Sequence, residues 1–578
     1  MNQSEEFRRQ QPAPLPPRPL NIPTPYETSL PNGLQLVVVE DKRLPLVSYR
    51  LAFRTGDAHD PSGLPGLTEM LTGMLTEGTE SRTSRQIAEE IARIGATLTA
   101  GASADYTTVA ASALAMYGDQ ILELMADVVL RPSFPEDELE LSKQNTMEGL
   151  KQQRAQPSFL ASEMVSRVLF GEHPYSVISP TAESIEELTR EKLVQFHRRA
   201  FVPNNAVLLI VGDVERAEVI ERVTALFGAW AAGEPPASDF PAPPARHERS
   251  IYLVDRPGSA QSNIVIANLG LTRTNPDYFP LLLMHTVLGA NASSRLFMNL
   301  REEKGYTYGA YSSLDARRTA GSLRASAEVR TPVTGASLKE FFYELERVRE
   351  ERVSEKEIRD AKAYLTGVFP IRLETQEGLI DQLVQIKMYG LPPDYLEHYR
   401  ERVNAVTAEE IQRVANLYVT PERAAVIIVC DAAAVMEQIE PYAQAIELYD
   451  TGGKRKELST LTERLAAAGR AVNAEEAAHL LGTWKLSIAT PFGQDLPASL
   501  VIRQEEAGIG GHVKSSMGEA PISNLTLSGD GGFSATLSLN AGGESLEASV
   551  TGSTTDNRIT GQLNLPDTPP LSFTGTKE

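Results

Sequence analysis

Residues 294–309 read Ser-Arg-Leu-Phe-Met-Asn-Leu-Arg-Glu-Glu-Lys-Gly-Tyr-Thr-Tyr-Gly. Two of them, Arg301 and Tyr308, carry side chains that could assist attack on a carbonyl. An arginine offers a planar fork of donors and a tyrosine hydroxyl one more, which together suit an oxygen gaining negative charge. To serve one carbonyl, the two must flank a single turn. The pattern predicts this arrangement: Ser-Arg-Leu-Phe-x-x-Leu-Arg ends a helix, Lys304-Gly305 stops it, and a strand opens with aromatic and β-branched residues. A plainer reading of the residue types stays open, because arginines at helix ends are commonly solvated and a tyrosine opening a strand is commonly core.

The elements that must hold this turn recur along the chain. An Asn32-Gly33 turn feeds the strand-like run Leu34-Gln35-Leu36-Val37-Val38-Val39, and a second strand covers residues 47–54. Helical spacing follows at 63–78 and 84–95, then a strand pair at 97–114 and helices at 117–129, 135–153 and 184–198. The strand at 206–214 and the helix at 219–227 close the unit. After five prolines in 234–249, a stiff linker, the same order restarts at Ile251-Tyr252-Leu253-Val254. Phe134-Pro135-Glu136 is answered by Val353-Ser354-Glu355, and Phe201-Val202-Pro203 with its apolar strand by Tyr418-Val419-Thr420-Pro421 with its own. Landmarks repeating in order mark a duplication. The fold class is α+β, two duplicated halves forming a clamshell.

From Gly482-Thr483-Trp484 onward Gly, Ser and Thr rise and short β-prone runs alternate with turn clusters, which predicts a small antiparallel barrel or sandwich. The Gly-x-Trp opening resembles that of lipocalin-type barrels, and the task of this domain stays open, with docking or dimerisation favoured over ligand binding. The domains expected are a Pro-rich tail (1–25), an N-terminal half (26–233), a linker (234–250), a C-terminal half (251–449), a helical spacer (450–475) and the β domain (476–578).

The 578 residues carry a formal net charge of −21, which argues against nucleic acid or an anionic membrane as the main partner. The lone cysteine, Cys430, sits in an apolar run and reads as a buried small side chain. The eight histidines include no pair spaced to ligate a metal from one helix face, and His285 reads as a core or interface residue. The N-terminal residues show no signal peptide, so a cytoplasmic address is the default expectation, with a periplasmic one equally compatible.

Leu300-Arg301-Glu302-Glu303-Lys304-Gly305-Tyr306-Thr307-Tyr308 resembles the C-terminal-half signature of the pitrilysin/insulinase/mitochondrial processing peptidase family, zinc peptidases with an inverted His-x-x-Glu-His motif. The resemblance extends over residues of about 26–445 and includes Glu77-Gly78-Thr79 and Gly171-Glu172-His173-Pro174-Tyr175. It implies that Arg301 and Tyr308 bind substrate near the scissile bond. Counting back from Gly78-Thr79 puts Glu69 at the first zinc-ligand position, Thr72 at the position of the general base and Gly73 at the second ligand. The third ligand falls on Gly149, beside Glu148, and the acidic residue two turns earlier is Ser142. A lone carboxylate without imidazole partners is a poor zinc site.

The resemblance therefore implies a zinc-free subunit of a heteromeric zinc metallopeptidase, inactive alone, that lends Arg301 and Tyr308 to a partner chain carrying zinc. No cofactor is expected in this chain. The substrate would be an unfolded or extended peptide, added as a strand along residues 97–104. The alternative is a scaffold or assembly subunit with no peptidase role.

Overall fold

A computed structural model of the chain describes residues 21–461 and, beyond them, 477–489, 495–505, 508–515, 518–528, 532–541, 544–564 and 570–578. The chain divides into two compact units, residues 1–456 and 457–578.

The first unit contains two halves built in the same order. The N-terminal half runs β1 (Tyr26–Ser29), β2 (Gln35–Glu40), β3 (Leu46–Phe53), α1 (Leu67–Met74), α2 (Ser84–Ile94), β4 (Thr97–Ala102), β5 (Thr107–Leu114), α3 (Gly118–Leu130), α4 (Glu136–Arg154), α5 (Pro157–Phe170), α6 (Ala182–Glu187), α7 (Arg190–Ala200), β6 (Ala206–Gly212) and α8 (Arg216–Phe227). The C-terminal half answers with β7 (Ser250–Asp255), β8 (Gln261–Leu269), α9 (Tyr278–Gly289), α10 (Arg295–Phe297), β9 (Thr307–Ala316), β10 (Gly321–Arg330), α11 (Thr334–Glu350), α12 (Glu355–Leu373), α13 (Gln376–Tyr389), α14 (Tyr395–Ala405), α15 (Ala408–Tyr418), β11 (Ala425–Cys430) and α16 (Ala432–Ile439), then adds β12 (Ala445–Tyr449) and β13 (Arg455–Lys456).

The two sheets, β1-β2-β6-β3-β5-β4 and β13-β12-β7-β11-β8-β10-β9, share a five-stranded topology in which β2-β6-β3-β5-β4 answers β7-β11-β8-β10-β9. In each, the central strand pairs parallel with one neighbour and antiparallel with the other: β6 with β2 and β3, β11 with β7 and β8. Ala206–Gly212 and Ala425–Cys430 are buried at every position, which is why they read as unbroken apolar runs. Their second faces are covered reciprocally. Leu379, Ile380 and Leu383 of α13 pack against Val207, Leu209 and Val211 of β6. Leu160, Met164 and Leu169 of α5 pack against Ala425, Ile427 and Val429 of β11. Each half thus completes the other's core. Polar groups cross the same seam: Arg318 donates from its backbone N–H to Asp105 Oδ2 at 3.0 Å and from Nη1 to the Arg54 carbonyl at 3.0 Å, and within the N-terminal half the Tyr175 hydroxyl bonds the other oxygen of Asp105.

The second unit is a closed barrel of eight antiparallel strands in sequence order: β14 (Gly482–Ala489), β15 (Asp495–Glu505), β16 (Gly508–Ser515), β17 (Gly518–Ser528), β18 (Gly532–Ala541), β19 (Glu544–Thr555), β20 (Arg558–Asn564) and β21 (Leu571–Lys577). Pairing of β14 with β21 closes it, leaving no free edge. Trp484 is fully buried and donates its indole N–H to the Leu480 carbonyl at 2.8 Å, among Leu486, Ile502, Phe533 and Phe573.

Several sequence expectations need correction. The helix expected at 63–78 spans only Leu67–Met74, because Gly66 enters it in the left-handed region at φ +91°. The helix expected at 184–198 is two, since Leu188 is extended and Thr189 caps a new start. Helix α5 goes unread in the sequence, although Pro157 stands at its first turn. The second sheet runs on through β12 and β13, so residues 450–456 belong to it and not to a spacer. Residues 1–20 of the expected tail and 462–475 of the expected spacer lie outside the described residues.

Candidate functional site

The turn carrying Arg301 is widened. After α10 the chain continues as a π-type turn, Met298–Glu303, in which the Lys304 N–H reaches back to the Asn299 carbonyl at 3.0 Å. Gly305, at φ +63°, then reverses the chain, and the Tyr306 N–H bonds the Leu300 carbonyl at 2.9 Å. This is the glycine stop expected from Lys304-Gly305, with one extra residue in the last turn. Leu296 and Leu300 are fully buried beneath it.

Side chains from two helices pin the turn. Arg295, 7% exposed, forms an ion pair with Glu357 of α12 at 2.7 Å. Burial opposes ionisation of Glu357, but hydrogen bonds from Arg295 and Ser354 outweigh it and bring the carboxyl down to about 2. Asn299 donates to Glu344 of α11 at 2.9 Å and to Glu340 at 3.1 Å. Ser354 and Glu357 form a capping box at the start of α12, a local pattern that sequence reasoning did not single out, and their long-range partner Arg295 carried no local signal.

On this support Arg301 and Tyr308 are free to act. The Arg301 guanidinium lies 4.7 Å from the centre of the Phe297 ring and 3.6 Å from the Glu302 carboxylate, with the side chain 45% exposed. Tyr308 stands on β9, the edge strand of its sheet, and is 92% exposed, which excludes the core reading. The two share one turn, make no hydrogen bond with each other, and both face solvent.

The degenerate motif lies on α1. Glu69 and Gly73 are exposed on one side, whereas Thr72 is 3% exposed and donates its hydroxyl to the Glu69 carbonyl at 2.8 Å. A Cβ added at Gly73, or at Gly149 on α4, would meet nothing within 4 Å. There is room for ligand side chains and none is present. Glu148 pairs with Lys151 at 2.6 Å, and the Ser142 carbonyl accepts the Thr146 hydroxyl. One carboxylate, one hydroxyl turned to backbone and two glycines do not make a zinc donor set. Among the described residues no group of three or more His, Cys, Asp or Glu side chains is placed to hold a metal.

Sequence reasoning missed the acidic surroundings of Glu69. Asp57, Asp60, Glu69 and Glu172 line one cavity of about 490 Å³. Burial, with Asp60 and Glu69 adding repulsion, raises Asp57 to about 7. His285, on α9, bonds Ser312 at 2.7 Å through Nδ1, and burial drops it to about 4, as a satisfied packing histidine behaves. The strand at 97–104 is shorter than expected. Strand β4 ends at Ala102, and the Ser103 and Ala104 carbonyls are already taken by the Asp57 and Ala58 N–H groups at 2.9 and 3.1 Å. Residues 97–102 do form a sheet edge.

Residues 36–180 match the family described as Insulinase (Peptidase family M16), and residues 187–365 match Peptidase M16 inactive domain. An uncharacterized zinc protease of Mycobacterium leprae is 26% identical over 396 residues, covering 67% of this chain and 88% of that protein. An uncharacterized zinc protease of Bacillus subtilis is 24% identical over 404 residues, covering 69% and 96%. Among solved structures, a peptidase M16 inactive domain from Pseudomonas fluorescens matches with TM-score 0.66 and 27% identity over 70% of this chain and 97% of that one. A protease from Helicobacter pylori has TM-score 0.67 at 20% identity, covers 71% and 100%, and shares the fold.

Proposed function

This chain belongs to the M16, or insulinase, family of peptidases, and from that premise we propose that it is the zinc-free member of a two-chain peptidase. The observation that carries the reading is the split between its two sites. At two of the three zinc-ligand positions, Gly73 and Gly149, the donor is gone while the space remains, and Glu69 alone is left at the first. At the other site, Arg301 and Tyr308 stand exposed on a turn that a partly buried ion pair and two carboxylate-bonded amide contacts hold in place.

In this reading a partner chain of the same family supplies the hydrolytic centre. Arg301 and Tyr308 hold the scissile carbonyl by charge-assisted and neutral hydrogen bonds, so that charge developing on its oxygen is met by donors already in position. The peptide lies extended and pairs with β4 through residues 97–102. The test is Arg301→Ala in the mixed complex. Cleavage should be lost with assembly intact, and unchanged turnover would remove the role. Loss of all dependence on a peptidase partner would favour the scaffold reading.

A further inference from the structure

The second half contains a buried cation that none of the preceding chemistry uses. Arg273, in the loop between β8 and α9, is 8% exposed. Its guanidinium carbon lies 3.9 Å from the centre of the Tyr278 ring and 5.1 Å from that of Tyr395, and Nη2 donates to the Tyr395 hydroxyl at 2.8 Å. Among the described residues no carboxylate pairs with it, and no other hydrogen bond engages its side chain. Buried charges are ordinarily paired, because an uncompensated one is costly.

Arg273 lines a cavity of about 570 Å³ together with Tyr278, Phe279, Tyr395, Arg402 and Glu410. Glu410 is the one carboxylate in that lining, and its Oε2 accepts the Thr407 N–H at 2.8 Å as part of a helix cap. Arg402 pairs with Asp394 at 3.5 Å, a loose contact that leaves its charge largely available. The fold does not demand a cation here. The matching loop of the N-terminal half, between β3 and α1, lines its own cavity with Asp57 and Asp60. The two duplicated loops thus turn side chains of opposite sign to their cavities, Asp57 and Asp60 in one and Arg273 in the other.

We propose that the Arg273–Arg402 cavity binds an oxyanion, a carboxylate or a phosphate, on a small molecule whose apolar body the Tyr278, Phe279 and Tyr395 rings cover. One guanidinium N–H is taken by the Tyr395 hydroxyl, and the remaining N–H donors are left for the oxyanion, the group arginine binds best through them. The site is independent of the two-chain reading: none of its lining residues belongs to the Arg301 turn or to the degenerate motif.

The test is calorimetric titration of the full chain with three probes: benzoate, its neutral isostere benzamide, and inorganic phosphate. Saturable binding of benzoate or phosphate is expected, with no heat from benzamide. Arg402→Gln, on the cavity lining, should weaken that binding roughly tenfold and Arg273→Met should abolish it. If the latter fails to fold, the Arg402 variant decides. Benzoate alone assigns a carboxylate ligand, and phosphate alone a phosphate. The proposal is overturned if neither anion binds the wild-type chain at ~10 mM, where even millimolar affinity would register. It is equally overturned if benzamide binds as well as benzoate, or if the folded variants bind as the wild type does.

Discussion

Arg301 and Tyr308 owe their availability to what they do not touch. A tyrosine that is 92% exposed on an edge strand buries little, so Tyr308→Phe should leave the unfolding midpoint unchanged, within about 0.5 kcal/mol. The same variant should slow turnover of the two-chain complex, and Arg301→Ala should slow it by roughly 100-fold or more, the usual effect of losing one transition-state donor. Steady-state kinetics with a gel-filtration check on assembly separates these effects. A shift in KM at constant kcat would indicate ground-state binding instead. The spacing of the two residues and the glycine stop between them were readable in the sequence, because both are local. Their exposure was not, since it depends on which strand ends the sheet.

At the scale of single elements, the glycines of the degenerate motif make a stability prediction. Gly73 and Gly149 lie inside helices with open space at the Cβ position. Gly73→Ala and Gly149→Ala should therefore each stabilise by about 0.5–1 kcal/mol, read as a higher denaturant midpoint. Destabilisation by either would mean that the space is filled. The turn support titrates as well. Glu357 has its folded pKa depressed from the ordinary 4.5 to about 2, so its contribution is full above pH ~4.5 and disappears as pH falls through about 2. Glu357→Gln should cost roughly 2–3 kcal/mol at pH 7, below the range for a fully buried pair because Glu357 is partly exposed, and the gap to wild type should close toward pH 2. A gap independent of pH would assign the loss to packing. Periodicity located α2, α3 and α4 almost to their ends, and strands β4 and β5 as a pair. It missed α5 and ran α6 and α7 together, because α5 packs on the other half's sheet and the break between α6 and α7 is made by a single cap at Thr189.

For the first unit as a whole, the duplication legible in the sequence understated how far the halves depend on each other. Landmark repeats gave two similar halves; that α5 and α13 each cover the partner half's central strand could not be read, because periodicity marks a helix's apolar face and not which sheet covers it. Residues 26–233 or 251–456 expressed singly should lack cooperative unfolding, while residues 21–456 should retain it, as circular dichroism melts would show. A cooperative transition in either half alone would contradict the shared core. The Trp484 barrel was legible as a class from turn-separated short strands, whereas its closure through β14 and β21 joins residues too far apart for sequence pattern to show. The central claim, that hydrolysis needs a second chain, rests on the missing zinc donors. Its most direct test is the metal content and peptide hydrolysis of the purified chain, alone and in complex with a family member that carries the inverted zinc motif. No bound zinc and no hydrolysis are expected of the chain alone, then one zinc per complex and hydrolysis that Arg301→Ala removes. Stoichiometric zinc and turnover in the isolated chain would contradict it.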